Sequence, residues 1–267
     1  MNSPREPAWQ VPAFRQDVWH ERRRDVAVVI PVINEGARIA QLLARMTAGA
    51  STASVDLVVV DGGSTDGSLA PGLLRRHGVR ALLTKTGAGK LSAQLRCAYA
   101  WSLREGYHGI VTIDGNDKDD PAAIPSFVDA LSRGVDFVQG SRYVDGGRAE
   151  NTPRLRQLAI RYLHAPVLAW ASGFPWTDTT QGFRAYSRRL LEDPRVAPFR
   201  EVFCSYELLA YLSYKAPRLG YRCLELPTAR RYPRGRVPTK IGVVRGNLEL
   251  VRVLMMSCLG LYNPTGR

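Results

Sequence analysis

Short apolar runs rich in β-branched residues recur along the first half of the chain: Val26–Ile33 (VAVVIPVI), Val55–Asp61 (VDLVVVD), Val79–Thr84 and Gly109–Asp114 (GIVTID). Their near-continuous apolarity predicts parallel strands covered on both faces, because a strand with one wet face would alternate apolar and polar positions. Between these runs the spacing becomes helical. Ile39, Leu42, Leu43 and Met46 mark one face in 37–46, and Leu91, Leu95, Ala98 and Leu103 do the same in 91–104. A further helix is predicted near 65–77, entered through Ser64, Thr65 and Asp66, which are good N-cap residues. The alternation predicts an α/β fold built on a doubly wound, mostly parallel sheet flanked by helices.

After residue 140 the regularity weakens. Arg154–Trp170 has the spacing of one amphipathic helix with a break near Pro166, Gly173–Arg184 (GFPWTDTTQGFR) reads as a polar loop, Glu207–Tyr214 as a helix and Cys223–Leu226 as a short strand. Arg230–Lys240 (RRYPRGRVPTK) is basic, lacks acids, and is broken by Pro233, Gly235 and Pro238, so it reads as a loop. No internal repeat and no interdomain linker stand out. The expected organisation is an N-terminal extension over 1–24, one domain over 25–229, and a basic loop with a helical tail over 230–267.

Composition narrows the class. A chain of 267 residues, 45% apolar and 23% charged, falls among ordinary globular proteins. No stretch of about 18 uncharged apolar residues is present to span a membrane, and the first 24 residues hold no apolar run that would serve as a signal peptide. Cys97, Cys204, Cys223 and Cys258 lie far apart without metal-finger spacing, as expected of core residues in a reduced, cytosolic protein. Charge is unevenly placed: residues 1–140 carry 16 bases against 15 acids, residues 141–267 carry 21 against 9. The cationic second half points to an anionic partner.

Active sites of such sheets form at the carboxyl ends of the strands. That rule gathers Asn34–Glu35, Asp61–Gly62–Gly63 and Asp114–Gly115–Asn116 along one edge. Acids brought together there repel one another unless a cation or a hydroxyl-rich ligand intervenes. Val59–Gly67 (VVDGGSTDG) offers an acid to a base or ribose and two glycines for close backbone approach, or it is a plain tight turn. Ile113–Pro121 (IDGNDKDDP) supplies oxygen ligands for a hard divalent cation, although Asp119 and Asp120 also suit a solvated helix entry. Thr84–Ser92 (TKTGAGKLS) lacks the first glycine and the hydroxyl of a phosphate loop, leaving a Gly-rich helix entrance with Lys90 near phosphate.

In this order and spacing, PVINEG (31–36), VVDGGSTDG (59–67), GAGK (87–90), IDGN (113–116) and VQGSRY (138–143) resemble family 2 glycosyltransferases of the GT-A fold. The likeness continues through DTTQGFRAYSRRLL (178–191), Glu207 and RRYPRGRVPTKIG (230–242), where it is most similar to polyprenyl-phosphate glycosyltransferases. The resemblance implies a nucleotide-sugar donor bound by Pro31, Asn34, Glu35, Asp61, Gly62, Lys90, Asp114, Gly115 and Arg142. It implies Mg²⁺ or Mn²⁺ held by Asp114 and Asn116, the latter replacing the second aspartate of the D-x-D motif. Arg142, Arg184, Arg234 and Lys240 match positions that contact donor or acceptor phosphates, while Arg230 and Arg231 read first as solvated charges.

Two acceptors remain open. A lipid phosphate is already anionic and needs no base; a sugar hydroxyl needs a carboxylate, for which Asp178 and then Glu207 are the candidates. Lys240–Tyr262 reads as an amphipathic helix whose apolar end, Val253–Leu261, either lies at a membrane interface or packs on the protein. The lipid reading places the protein peripherally on the cytoplasmic face of a membrane. A nucleotidyltransferase, a noncatalytic relative and a nucleic-acid-binding module are the rivals, the last opposed by the absence of any recognition-helix or RNA-binding signature.

Overall fold

The computed structural model describes residues 9–49, 51–233 and 245–264, without the side chains of 245–247. Ten strands are found there: β1 (Phe14–Val18), β2 (Val26–Val32), β3 (Val55–Asp61), β4 (Val79–Lys85), β5 (Gly109–Thr112), β6 (Phe137–Ser141), β7 (Arg148–Glu150), β8 (Arg184–Ser187), β9 (Cys223–Pro227) and β10 (Ala229–Arg231). The α-helices are α1 (Ala37–Ala48), α2 (Pro71–Arg76), α3 (Leu91–Arg104), α4 (Ile124–Ser132), α5 (Arg154–Ala159), α6 (Ala165–Ser172), α7 (Arg188–Glu192), α8 (Glu207–Arg218) and α9 (Arg245–Cys258).

Eight strands form one mixed sheet in the order β1–β4–β3–β2–β5–β8–β6–β9, and β7 pairs with β10 beside it. Strands β4, β3, β2 and β5 are parallel neighbours; β8 runs antiparallel between β5 and β6. Because β3 lies on one side of β2 and β5 on the other, the strand order reverses at β2, which is where open α/β sheets bind ligands.

The strands are apolar throughout because both faces are covered. Ala27 and Val29 of β2 face a cluster with Leu95 and Tyr99 of α3, Leu168 of α6, Tyr211 of α8 and Leu254 of α9. The alternate residues Val28 and Ile30 face Ile39, Leu43 and Met46 of α1 and Phe127 of α4. Burying each Val, Leu, Ile, Met or Phe side chain among these contributes about 1.5–3 kcal/mol. The helical stripe of 37–46 is the face that buries Ile39, Leu42, Leu43 and Met46.

Several expected elements differ. Residues 65–70 do not join α2, because their polar groups tie loops together. Thr65 N–H donates to Asn34 Oδ1 (2.8 Å), Asp66 Oδ2 accepts from Gly36 N–H (2.8 Å), and Gly67 has φ +72°. The helix starts at Pro71, whose missing N–H costs nothing in a first turn. The helix of 154–172 is interrupted before Pro166: Ile160–His164 is one π-helical turn, and that widening absorbs the donor Pro166 lacks. The N-terminal extension contributes β1, which covers the edge of β4 in antiparallel register. Of the basic stretch 230–240, read as a loop, Arg230 and Arg231 belong to strand β10 (Ala229–Arg231), whereas Arg234 and Lys240 lie outside the described residues. Among the described residues no helix is long and apolar enough to cross a membrane.

Candidate active site at the carboxyl edge of the sheet

The ends of β2, β3 and β5 bring the predicted acids together. Val32 of β2 pairs with Asp61 of β3, and on the other side of β2 Gly115 N–H donates to Pro31 O (3.2 Å). Asp61 and Asp114 therefore flank the same strand end. Close packing dictates the glycines here. A Cβ on Gly115 would lie 2.7 Å from Val32 Cγ2 and 3.0 Å from Pro31 O, and one on Gly62 would lie 3.2 Å from Gln94 Oε1. Gln94, on the first turns of α3, donates from Nε2 to Val32 O (2.9 Å) and Val60 O (2.5 Å), tying the two strand ends side by side.

Each acid is oriented by local bonds. Asp61 Oδ1 accepts from Gly63 N–H (3.1 Å) and Ser64 N–H (2.8 Å). Glu35 Oε2 accepts from Arg38 Nε (3.0 Å) and Nη2 (2.7 Å), and Asn34 holds φ +49°, which an asparagine adopts more readily than most residues. Asp114 Oδ2 meets Arg230 Nη2 at 3.1 Å. Gly182 passes so close to Asp114 that a Cβ there would sit 2.3 Å from Oδ1. Asn116 Oδ1 accepts from Lys118 N–H (3.2 Å).

Asp119 and Asp120 part ways. Asp120 caps the short 3₁₀ turn Pro121–Ala123, accepting from Ala122 N–H, as a helix-entry acid does. Asp119 is buried instead, with Oδ1 accepting from Gln181 Nε2 (2.7 Å) and Oδ2 from Arg230 Nη1 (2.5 Å). Burial raises the Asp119 pKa and Arg230 opposes the rise. Arg230 is thus buried in an ion-pair cluster, a correction to its reading as a solvated charge, while Arg231 is exposed and pairs with Glu150. Asp117 keeps φ +55°, and burial raises its pKa against the pull of Arg45.

The basic and catalytic candidates divide sharply. Arg142 and Asp178 are both buried and joined by two side-chain bonds, Nε to Oδ2 at 2.6 Å and Nη2 to Oδ1 at 2.9 Å, and by Arg142 N–H to Oδ2 at 3.3 Å. Burial disfavours the Arg142 charge, but the Asp178 bonds outweigh it and raise the pKa. Arg142 Nη1 and the neighbouring Tyr143 hydroxyl are buried without a hydrogen-bond partner among the described residues. Asp178, with both oxygens engaged by Arg142, is a counter-ion and not the exposed base that a hydroxyl acceptor would need. Glu207 is also engaged: Oε2 accepts from Ser205 N–H (2.7 Å) at the start of α8.

Arg184 corrects a further expectation. It is 1% exposed, and its guanidinium donates to Gln181 O, Thr179 O, Leu209 O and Ser213 Oγ, which leaves it a structural pin instead of a phosphate ligand. At the α3 entrance two backbone donors are taken up by the protein, Lys90 N–H donating to Cys204 O (2.6 Å) and Ser92 N–H to Ser205 O (2.7 Å). The Lys90 side chain reaches outward, where its Nζ lies 3.5 Å from Glu249 Oε2 of α9.

Sequence reasoning missed Gln94, Gly182, Gln181 and the burial of Arg230. Gly182 and Gln181 sit inside the TTQGFR stretch, and its local signal was a glycine between a long polar side chain, Gln181, and an aromatic one, Phe183. Nothing local marks Gln94, whose reach to two strand ends is a tertiary fact.

The family model "Glycosyl transferase family 2" matches residues 27–194. The chain belongs to that family. Polyprenol monophosphomannose synthase from Mycolicibacterium smegmatis is 29% identical over 203 residues, 75% of each chain. Dolichyl-phosphate hexose transferase from Haloferax volcanii is 30% identical over 238 residues, 88% of this chain and 94% of that one. Among solved structures, glucosyl-3-phosphoglycerate synthase from Mycobacterium tuberculosis, crystallised with Mn²⁺, UDP and phosphoglyceric acid, superposes with TM-score 0.64 at 19% identity. The match covers 88% of this chain and 78% of that one. This family 2 glycosyltransferase therefore has the GT-A architecture that its motifs implied.

A divalent cation fits the donor set on one condition. Among the described residues no three His, Cys, Asp or Glu side chains gather to hold an ion. Asp114 and Asn116 offer two hard oxygens, and a Mg²⁺-like ion is commonly held by one or two protein oxygens together with substrate phosphates. The residues fit a cation that is completed by a nucleotide diphosphate.

Proposed function

We propose that this glycosyltransferase moves a sugar from a nucleotide-diphosphate sugar to a polyprenyl phosphate while docked peripherally on a membrane. The observation that carries this reading is the Arg142–Asp178 pair. A buried, charged donor without a partner is costly, and the penalty is relieved when an anion supplies the missing acceptor. Arg142 Nη1 is such a donor, next to the orphaned Tyr143 hydroxyl and the cationic Arg161, whose guanidinium lies 5.8 Å from the Tyr143 ring centroid. A phosphate answers this geometry better than a neutral hydroxyl does.

The acceptor chemistry agrees. A phosphate oxygen that is already anionic attacks the anomeric carbon in line; the new C–O bond forms as the bond to the diphosphate breaks, and nucleoside diphosphate leaves with inversion. No base is required, and Asp178 and Glu207 are both occupied by protein donors. The protein's task is to hold two anionic reactants together, which its cationic half suits. Asp61 and Glu35 face the nucleoside, Lys90 the diphosphate. Asp114 and Asn116 would hold Mg²⁺ or Mn²⁺, which when bound offsets charge on the departing diphosphate. The relatives named above, a polyprenol monophosphomannose synthase and a dolichyl-phosphate hexose transferase, support the lipid acceptor.

The membrane side of the reading rests on exposed apolar residues. Leu155, Tyr162 and Trp170 of the 154–172 helix are 80%, 73% and 86% exposed, beside the exposed Arg154 and Arg161. An apolar stripe edged by arginines suits an anionic bilayer surface. The test is transfer of label from nucleotide sugars to polyprenyl phosphate in detergent, with sugar and alcohol acceptors in parallel. Label in the lipid phosphate supports the proposal; transfer to hydroxyl acceptors alone overturns it.

A further inference from the structure

Arg230 is 6% exposed, and its guanidinium bridges two carboxylates, Asp119 through Nη1 at 2.5 Å and Asp114 through Nη2 at 3.1 Å. The backbone around it is fixed. Arg230 bridges Asp119 in antiparallel fashion, Asp120 N–H donates to Ala229 O (3.0 Å) and Arg231 N–H to Lys118 O (2.8 Å). The two pairs differ in kind. Asp119 is wholly buried and shared with Gln181, so that arm is anchored. Asp114 keeps 23% of its side chain exposed, and the longer contact is with it. The guanidinium has one inner arm and one that meets the ligand-facing edge.

We propose that the outer arm of Arg230 is a built-in competitor for the divalent cation at Asp114, so that Asp114 is surrendered only to a cation that arrives with a nucleotide diphosphate. The inference rests on the reading of Asp114 as the cation's carboxylate. A bare ion would have to displace a hydrogen-bonded guanidinium and would gain only Asp114 and Asn116 in return. An ion already bound to a diphosphate brings further oxygens with it. The anionic phosphates also give the displaced Nη2 a new acceptor, because a guanidinium fork matches phosphate oxygens well. Arg230 is thus a positioning residue: it works through Asp114, setting the order in which cation and nucleotide bind. The asparagine at 116 strengthens the effect, since one fewer carboxylate leaves the bare ion with less charge to bind.

The experiment measures Mn²⁺ binding to the full chain by titration calorimetry, first without nucleotide and then with saturating UDP, GDP and the other common nucleoside diphosphates. Removing Arg230 alone would strand the buried Asp119 carboxylate, so the variant is Asp119→Asn/Arg230→Gln, with Asp119→Asn as its control. Without nucleotide, the double variant is expected to bind Mn²⁺ at least tenfold tighter than the control. The enhancement of Mn²⁺ affinity by nucleotide should shrink by at least that factor, because the variant loses both the competitor and the arm that the phosphates would accept, and by reciprocity Mn²⁺ should enhance nucleotide binding less by the same amount. Equal Mn²⁺ affinity in the two proteins overturns the proposal.

If the double variant does not fold, the wild-type Arg230 Nε–H resonance, assigned with Arg230→Lys, gives the answer. It is expected to hold still under Mg²⁺ alone and to shift with Mg²⁺ and nucleotide together; a shift under Mg²⁺ alone, or none under either, overturns the inference. Failure of every nucleoside diphosphate to bind would instead count against the glycosyltransferase site. The comparison of Mn²⁺ alone still decides on Arg230.

Discussion

Arg142 Nε and Nη2 donate to the two oxygens of Asp178 at 2.6 and 2.9 Å, inside the protein, and leave Nη1 without an acceptor among the described residues. The pair is a scaffold that aims a charged donor. Asp178→Ala is expected to destabilise the fold by about 3–5 kcal/mol, because it leaves a buried charge uncompensated. Arg142→Lys keeps the charge and loses the fork, so transfer should fall roughly 10–100-fold with a smaller loss of stability. Urea unfolding and transfer kinetics on both variants check the two effects separately. Full activity in Arg142→Lys would remove the phosphate role.

Gly182 has no room for a side chain beside Asp114, as its added Cβ would sit 2.3 Å from Oδ1. Gly182→Ala is expected to push that carboxylate away. The pushed group is a partly exposed side-chain end, so the cost should appear in ligand binding more than in folding. Nucleotide affinity in the presence of Mn²⁺ should drop at least tenfold, on the order of 1.4 kcal/mol, with the unfolding midpoint little changed. Unaltered affinity would show that Asp114 does not need its present position.

Asp114 and Asp61 should fail differently. Asp114→Ala is expected to abolish the divalent-dependent part of nucleotide binding, measured by calorimetry with and without Mn²⁺. Asp61→Ala, on the other side of β2, should weaken binding with and without the ion alike. Identical ion dependence in the two variants would contradict the assignment of Asp114 to the cation.

The part of the molecule legible in the sequence was the part governed by local pattern. Strands β2 to β5 are runs buried on both faces, so apolarity alone located them, and strand ends in a parallel sheet share an edge whatever the loops do. That argument placed Asp61 and Asp114 around β2 without any tertiary information. Arg184 and Arg230 were illegible for a physical reason: a guanidinium in a basic, acid-poor stretch looks alike whether it meets water, a phosphate or four protein acceptors. What separates the three is burial, which depends on residues far away in sequence, such as Leu209 for Arg184 and Asp119 for Arg230. The 65–70 stretch was misread because N-cap residues also make loop-to-loop bonds, and here Asn34 and Gly36 claim them.

His164 closes the π-helical turn and its Nδ1 lies 2.6 Å from Thr179 Oγ1, next to Asp178 in sequence. Burial holds its pKa down to about 4, against about 6.5 for a free imidazole. A depressed histidine pKa means that the unfolded chain binds the proton better than the folded one. The stability tied to the neutral ring is complete above about pH 6.5 and is lost as pH falls toward about 4, by roughly 3 kcal/mol at the limit. His164→Gln is expected to flatten the stability profile between those limits, as followed by urea unfolding at several pH values. An unchanged slope would assign the acid sensitivity to other groups.

The helical stretch 154–172 borders the proposed acceptor site through its arginines: Arg156 stands 5.9 Å from the Tyr232 ring centroid and Arg161 5.8 Å from that of Tyr143. On the proposed reading the exposed stripe meets the bilayer, and the buried Arg142 meets the lipid phosphate. Leu155, Tyr162 and Trp170 belong to neither core cluster, so replacing all three with serine should leave the unfolding midpoint nearly unchanged. Retention on vesicles containing anionic lipid should fall at least fivefold, and transfer to long-chain polyprenyl phosphate in such vesicles should fall with it. Transfer to a short, water-soluble acceptor phosphate should persist, because Arg142 and the donor edge are untouched. Undiminished retention in the triple variant would move the membrane contact elsewhere, with the exposed Leu248, Met255 and Leu259 around α9 as the next surface to replace.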